Sequence, residues 1–203
     1  MRNLRLVLWI AVAIGLFALG SLTVGGFAAR NAPVAAGSAM QAGAPLGGAF
    51  SLVDHNGQPV TESILRGKPS AVFFGFTHCP DVCPTTLMET AGWIKALGSD
   101  ADKMRFVFVT VDPERDTPDI MNDYVSAFSD QIIGVTGTPE KVHAMVTDYK
   151  VFSRKAPLEG GDYTMGHTAS VLLLDASGSL VGTIARDEGR ETAMAKLRNL
   201  VAG

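Results

Sequence analysis

Residues 70–86 read SAVFFGFTHCPDVCPTT. The first seven are an uncharged run dominated by Val and Phe, the pattern of a strand buried on both faces. Beyond them Leu87, Ala91 and Ile94 recur at helical spacing, and Gly98 supplies a stop. Pro84 cannot sit deep in a helix, so the helix starts near Cys83, with Thr86 and Glu89 as a capping box and Cys79 in the preceding loop. A second buried-strand pattern, RFVFVTV, occupies residues 105–111. Strand, helix and strand in this order make a crossover unit with a parallel pair.

Working outward, residues 50–54 and 58–60 flank an Asn56-Gly57 turn and read as a hairpin. Helices are predicted over 118–128 behind Thr117 as cap, over about 139–149, and over 188–200. Residues 168–175 and 179–184, joined at Ser177-Gly178, read as a late hairpin. An early parallel pair, a late antiparallel pair and helices on both faces predict an α/β fold, a thioredoxin-like three-layer sandwich. This domain spans residues 49–203.

The N-terminal region has a different composition. Residues 6–29 are 24 positions without a charge in a chain of 203 with 47% apolar residues, long enough as a helix to cross a hydrocarbon core of about 30 Å. Arg2 and Arg5 precede this stretch and only Arg30 follows it closely, which leaves residues 1–5 in the cytoplasm and sends the domain across. A cleaved signal peptide carries a shorter apolar stretch, roughly 7–15 residues. The expected arrangement is therefore one N-terminal transmembrane helix, a flexible linker over 30–48 rich in Ala, Gly, Ser and Pro, and a domain in the periplasm or an equivalent extracytoplasmic space. Past residue 48 the chain has 14 basic against 20 acidic side chains. That balance excludes nucleic acid as a partner while the anchor makes the membrane one.

Cys79 and Cys83 are the only cysteines, four residues apart at a helix N-terminus, where free N–H groups favour a reactive thiolate. Three readings are open: a structural disulfide, a redox dithiol, or soft ligands for a metal. A bridge closing so short a loop constrains the unfolded chain little. Redox enzymes of thioredoxin type space the pair by two residues, whereas three intervene here. Two thiolates are too few for a structural zinc site, so other donors are needed. His55 and His143 read as surface residues, and the His78 side chain diverges from its neighbour's sulfur in an extended segment. His167 differs, because it ends a Gly-rich loop over 158–166 just before the late strand, from which a thioredoxin-type fold approaches its dithiol turn. Asp112, Glu114 and Asp116 do not form a calcium loop, since Pro113 and Pro118 interrupt it and its Gly and distal Glu are missing. The methionines are scattered and read as core filling, with Met165 alone placed to approach a metal.

Three segments, FTHCPDVCPTTL (76–87), VDPERDTP (111–118) and GHTASVLLLD (166–175), together resemble the Sco/SenC family of copper chaperones for cytochrome c oxidase assembly. The resemblance implies a thioredoxin-like fold in which Cys79, Cys83 and His167 bind copper. Many members carry Asp directly before that histidine, where this chain has Gly166. Thiolates select Cu(I), and a Cys2His set gives a three-coordinate site with an open face for exchange; Cu(II) is also accommodated. The implied function is a membrane-anchored chaperone that delivers copper to a copper-bearing subunit of a respiratory oxidase, prepares that subunit's thiols, or exchanges copper with another chaperone. The competing reading is a thiol-disulfide oxidoreductase acting through Cys79 and Cys83 with copper incidental, and a peroxiredoxin-like peroxidase is third. Against an oxidoreductase stands the lack of a proline at or just before Thr168.

Overall fold

The computed structural model describes residues 46–203. The expected transmembrane helix over 6–29, the residues before it and most of the linker lie outside the described residues. Among the described residues, no helix is long and apolar enough to cross a membrane.

The chain enters through a hairpin of β1 (Ser51–Asp54) and β2 (Pro59–Thr61), whose turn is fastened by Asp54 Oδ1 accepting from the backbone N–H groups of Asn56 and Gln58, both at 2.8 Å. Next come β3 (Ser70–Gly75), α1 (Val82–Leu97), β4 (Arg105–Thr110), α2 (Pro118–Ser126), β5 (Ile132–Thr136) and α3 (Pro139–Asp148). The remainder is β6 (Ser153–Pro157), β7 (Tyr163–His167), β8 (Val171–Leu174), β9 (Leu180–Ile184) and α4 (Arg190–Ala202). Seven strands form one sheet in the order β2-β1-β5-β4-β3-β8-β9. β3, β4 and β5 are parallel, while β1 and β8 run antiparallel to β5 and β3.

β3 is buried along its whole length, as a central parallel strand covered on both faces must be. Phe73, Phe108 and Gly134 are register partners and share one face. α1 and α2 cover it. Gly134 admits Met121 and Val125 of α2, and the Tyr124 ring lies 5.7 Å from Phe108. α4 lies beside α1, where Arg190 Nη2 donates to the Gly92 carbonyl at 3.3 Å. Phe74 points the other way and meets Tyr149, at the end of α3, at 5.8 Å. Hence the sandwich has helices on both faces, as the pattern predicts. Phe73, Phe74, Phe76, Phe106 and Phe108 are all almost fully buried, each contributing about 1.5–3 kcal/mol by leaving water.

Several boundaries differ from the sequence reading. β5 is not foreseen: it has five residues with a glycine in the middle, so only pairing beside β4 makes it a strand. Residues 153–157 and 163–167 form a separate two-stranded sheet, and the Gly-rich loop shrinks to the turn between them. The late strand begins at Val171, not at Thr168. α2 and α3 end at Ser126 and Asp148, and α4 starts at Arg190, shifts of the size that helix ends ordinarily show.

Candidate metal centre

β3 delivers the chain to the carboxyl end of the parallel strands at Gly75, and Phe76 stays buried. Here the backbone turns under a fixed restraint: Thr77 donates its Oγ1–H to Asp116 Oδ1 at 2.6 Å and its backbone N–H to Oδ2 at 3.2 Å. Thr110 Oγ1 donates to the same carboxylate at 2.5 Å. Asp116 is fully buried, and burial raises its carboxyl above the ordinary aspartate value, outweighing the threonine hydrogen bonds. The dithiol loop is thus fastened to the loop after β4. Thr117 Oγ1, accepting from the Ile120 N–H at 3.4 Å, caps α2 as expected.

α1 begins at Val82. Its Asp81 N-cap makes no side-chain cap bond; instead Cys79 Sγ accepts the Cys83 N–H at 3.4 Å. Thr86 and Glu89 form no capping box, because Thr86 already lies inside the helix and donates to the Val82 carbonyl at 2.8 Å. Cys79 is half-buried while Cys83 is fully buried, and both thiols are free. Being on the sheet-facing side of α1 decides the chemistry of Cys83: burial pushes its thiol well above the usual range, and a hydrogen bond with the Phe76 backbone only partly offsets this. The expectation of a thiolate favoured by the helix terminus is therefore corrected for Cys83, whose thiol is held protonated chiefly by burial.

Cys83 reaches the sheet only because residue 75 is glycine. A Cβ there would lie 2.7 Å from Cys83 Sγ and 2.8 Å from the Phe108 ring. Gly75→Ala is expected to lower stability by about 1–3 kcal/mol through overpacking, which outweighs the better strand propensity of alanine. Urea unfolding of the apoprotein checks this, and an unchanged midpoint would contradict the packing described.

His167 is the last residue of β7, not a loop residue. Its ring stands edge-on between Phe73, at 5.9 Å, and Phe76, at 5.8 Å. Nδ1 lies 2.9 Å from the Thr168 carbonyl; with the proton assigned to Nδ1, Nε2 keeps its lone pair and faces Cys83 Sγ at 3.4 Å. Burial also lowers the pKa of this imidazole, so the neutral form needed for coordination prevails at neutral pH. Ligand atoms of Cys79, Cys83 and His167 all lie within 4.8 Å of one another. That spacing is comparable with donors around one ion at bond lengths of about 2.0–2.3 Å.

The other histidines and the acidic candidates do not join this cluster. His78 is exposed and its Nδ1 lies 3.0 Å from Thr77 Oγ1. His55 is not simply a surface residue: its Nδ1 accepts the Gly134 N–H at 3.0 Å and braces the β1–β2 hairpin against β5. His143 is exposed. Met165, two residues before His167 on β7, lines a cavity of about 370 Å³ with Val142 and Val146 of α3. Asp112 and Glu114 are engaged with Arg115 and Lys155. Asp116 was legible only as part of a turn. Its one sequence signal is a carboxylate confined between two prolines just after a buried strand.

Two sulfurs and one imidazole converging at the carboxyl end of a central strand of a thioredoxin-like sheet define a soft-metal or redox centre, with a half-exposed side at Cys79. The chain belongs to the SCO1/SenC family, whose profile matches residues 38–202. It is 39% identical over 159 residues to "Protein SCO2, mitochondrial" of Saccharomyces cerevisiae, covering 77% of this chain and 53% of that protein. To "Protein SCO1 homolog 1, mitochondrial" of Arabidopsis thaliana it is 41% identical over 133 residues, 64% of this chain and 40% of that one. The chain thus spans about half or less of these two relatives. Among solved structures, Bradyrhizobium japonicum ScoI with copper bound is similar at a TM-score of 0.72 and 45% identity, covering 76% of this chain and 99% of that one. Yeast Sco1 with copper bound gives 0.71 and 35%, covering 78% and 89%.

Proposed function

We propose that this protein is a copper carrier for respiratory oxidase assembly, binding copper through Cys79, Cys83 and His167. The convergence of those three ligand atoms within 4.8 Å carries the reading. Copper is the cargo here, and the donors suit it: thiolates prefer Cu(I), and the Nε2 of a neutral imidazole completes a three-coordinate set that also takes Cu(II). Similarity to copper-bound ScoI and Sco1 supports it further. An open coordination position lets an incoming thiolate or imidazole of an oxidase subunit or another chaperone bind before the carrier's ligands leave. The uncharged stretch over residues 6–29 anchors the carrier in a membrane, with residues 1–5 cytoplasmic and the domain outside the cytoplasm.

The two adjacent free thiols also favour a second reading, reduction of a partner disulfide with copper incidental. His167 separates the two. As a ligand, its loss in His167→Ala drops Cu(I) to a weaker two-thiolate site and removes Cu(II)–thiolate absorption, while thiol–disulfide exchange persists. Anaerobic titration of the variant with Cu(I) and Cu(II), beside a disulfide-reductase assay and oxidase assembly in cells, is the test. Unchanged copper affinity together with normal assembly would overturn the carrier reading and favour the oxidoreductase.

Acid–base behaviour adds a further expectation. Because burial keeps the Cys83 proton on at neutral pH, copper must displace it. Apparent affinity should then rise by about tenfold per pH unit for each proton displaced. His167, with its lowered pKa, contributes a further loss only on the acid side. Competition with a chromophoric Cu(I) chelator across roughly pH 6 to 8, corrected for the chelator's own protonation, measures the slope; a flat profile would contradict a buried protonated thiol.

A further inference from the structure

His167 is carried by a piece of structure with little to hold it. Among the described strands, β6 and β7 pair only with each other, and an isolated two-stranded hairpin is marginal in water. Besides the His167 ring between Phe73 and Phe76 and Met165 beside α3, what ties it to the body of the domain is a cluster around Tyr163, at the start of β7. Arg115, from the loop after β4, stacks its guanidinium 3.8 Å from the centre of the Tyr163 ring. Its Nη1 also donates to the Tyr163 carbonyl at 3.1 Å and to Asp162 Oδ1 at 3.3 Å. Asp112 fixes the other side of the guanidinium, accepting from Arg115 Nε at 2.5 Å and from the Tyr163 hydroxyl at 2.7 Å. Lys155 of β6 covers the tyrosine ring at 3.7 Å and pairs with Glu114 at 2.7 Å.

These contacts differ in weight. Lys155 and Glu114 are about half exposed, and such a pair contributes only about 0–1 kcal/mol. Arg115 is largely shielded and Asp112 almost wholly buried, where losing one partner leaves the other charged and unpaired. Arg115 also lies 5.9 Å from the centre of the Phe76 ring, which itself stands against His167. Two routes therefore lead from Arg115 to the imidazole, one along β7 from Tyr163 and one through Phe76.

We infer that Arg115, clamped by Asp112 and stacked on Tyr163, is a positioning residue that holds the β6–β7 hairpin in the place where His167 Nε2 meets the two sulfurs. The inference rests on the reading of Cys79, Cys83 and His167 as copper ligands. Lysine cannot substitute: a point charge on a flexible stem cannot at once stack on the ring, pair with Asp112 and donate to the Tyr163 carbonyl.

The test is a double-mutant cycle on the full-length protein with Arg115→Lys, His167→Ala and the two combined, reading Cu(I) affinity by chelator competition. Arg115→Lys should weaken Cu(I) binding by about tenfold, as groups that orient metal ligands do, and have almost no effect once His167 is alanine. Equal weakening in both backgrounds would overturn the inference, because Arg115 would then act on the whole domain and not through the imidazole. A second readout needs no metal: amide hydrogen exchange across Tyr163–His167 in the apoprotein should quicken in Arg115→Lys, and unchanged exchange would also overturn it. If His167→Ala alone leaves Cu(I) affinity intact, the ligand assignment fails, and the exchange result still reports separately on the hairpin clamp. Should Arg115→Lys lose cooperative unfolding, Tyr163→Leu removes the stack from the half-buried hairpin side and enters the same cycle with the same expectations.

Discussion

Cys79→Ser and Cys83→Ser are each expected to abolish tight copper binding, weakening it by more than the roughly 10–100-fold that follows loss of a group merely orienting a ligand. Each removes one of two thiolates from a set of three donors, and an alcohol oxygen does not replace a thiolate for Cu(I). Stability should respond unequally. Cys79 is half-buried and its sulfur accepts one N–H at the start of α1; a serine oxygen can accept the same N–H, so the apoprotein should unfold about where the wild type does. Cys83 is fully buried, and a hydroxyl in its place costs about 1–3 kcal/mol, reduced where it donates to His167 Nε2. Chelator competition and thermal unfolding of the reduced apoprotein measure both quantities. Retained copper affinity in either variant would contradict the site, and a large stability loss in Cys79→Ser would indicate a structural role for that sulfur.

Asp116→Ala should be the most destabilising single change near the centre. It leaves the Thr77 N–H, the Thr77 hydroxyl and the Thr110 hydroxyl without their acceptor, at about 3 kcal/mol or more in total, given roughly 1–3 kcal/mol for each buried group left unmade and some reorientation of the hydroxyls. It also frees the loop that carries Cys79, so copper affinity should fall with stability. Asp116→Asn keeps an acceptor and removes the titration. Since the folded-state pKa of Asp116 is raised, the folded protein holds this proton more tightly than the unfolded chain. Its stabilising contribution is complete below the unfolded value of about 4 and is lost as pH rises through the folded value. The stability advantage of wild type over Asp116→Asn should therefore be greatest in acid and shrink toward neutral pH. Urea unfolding at several pH values measures it, and an advantage that grows with pH would contradict a raised pKa.

How much of this was legible depended on whether the signal was local. The strand over residues 70–75, its partner over 105–110 and the helix after Cys83 follow from apolar runs and Pro84, because burial on both faces leaves no alternation to confuse. β5 and the β6–β7 hairpin were missed for the opposite reason. Ile132–Thr136 is short and interrupted by Gly134, where His55 and the Met121 and Val125 side chains of α2 come close to the sheet. Ser153–Pro157 is polar and mostly exposed, a strand only because β7 pairs with it.

Residue identity and order, together with the resemblance to the Sco/SenC family, pointed to the proposed donor set. Cys79 and Cys83 share one strand-to-helix turn, and His167 is the one histidine located where a thioredoxin-like fold returns to it. Tertiary structure decided what those donors are like. It turned Cys83 inward against Gly75, so that desolvation, which no local pattern encodes, governs its proton. It directed Nδ1 of His167 to a backbone carbonyl and Nε2 to the sulfur. It also brought Arg115 against Tyr163 and Asp116 against Thr77, pairs separated by 48 and 39 positions. Contacts at that range arise only when the sheet sets its loops side by side, because periodicity reports which face a residue occupies and not which distant neighbour it meets.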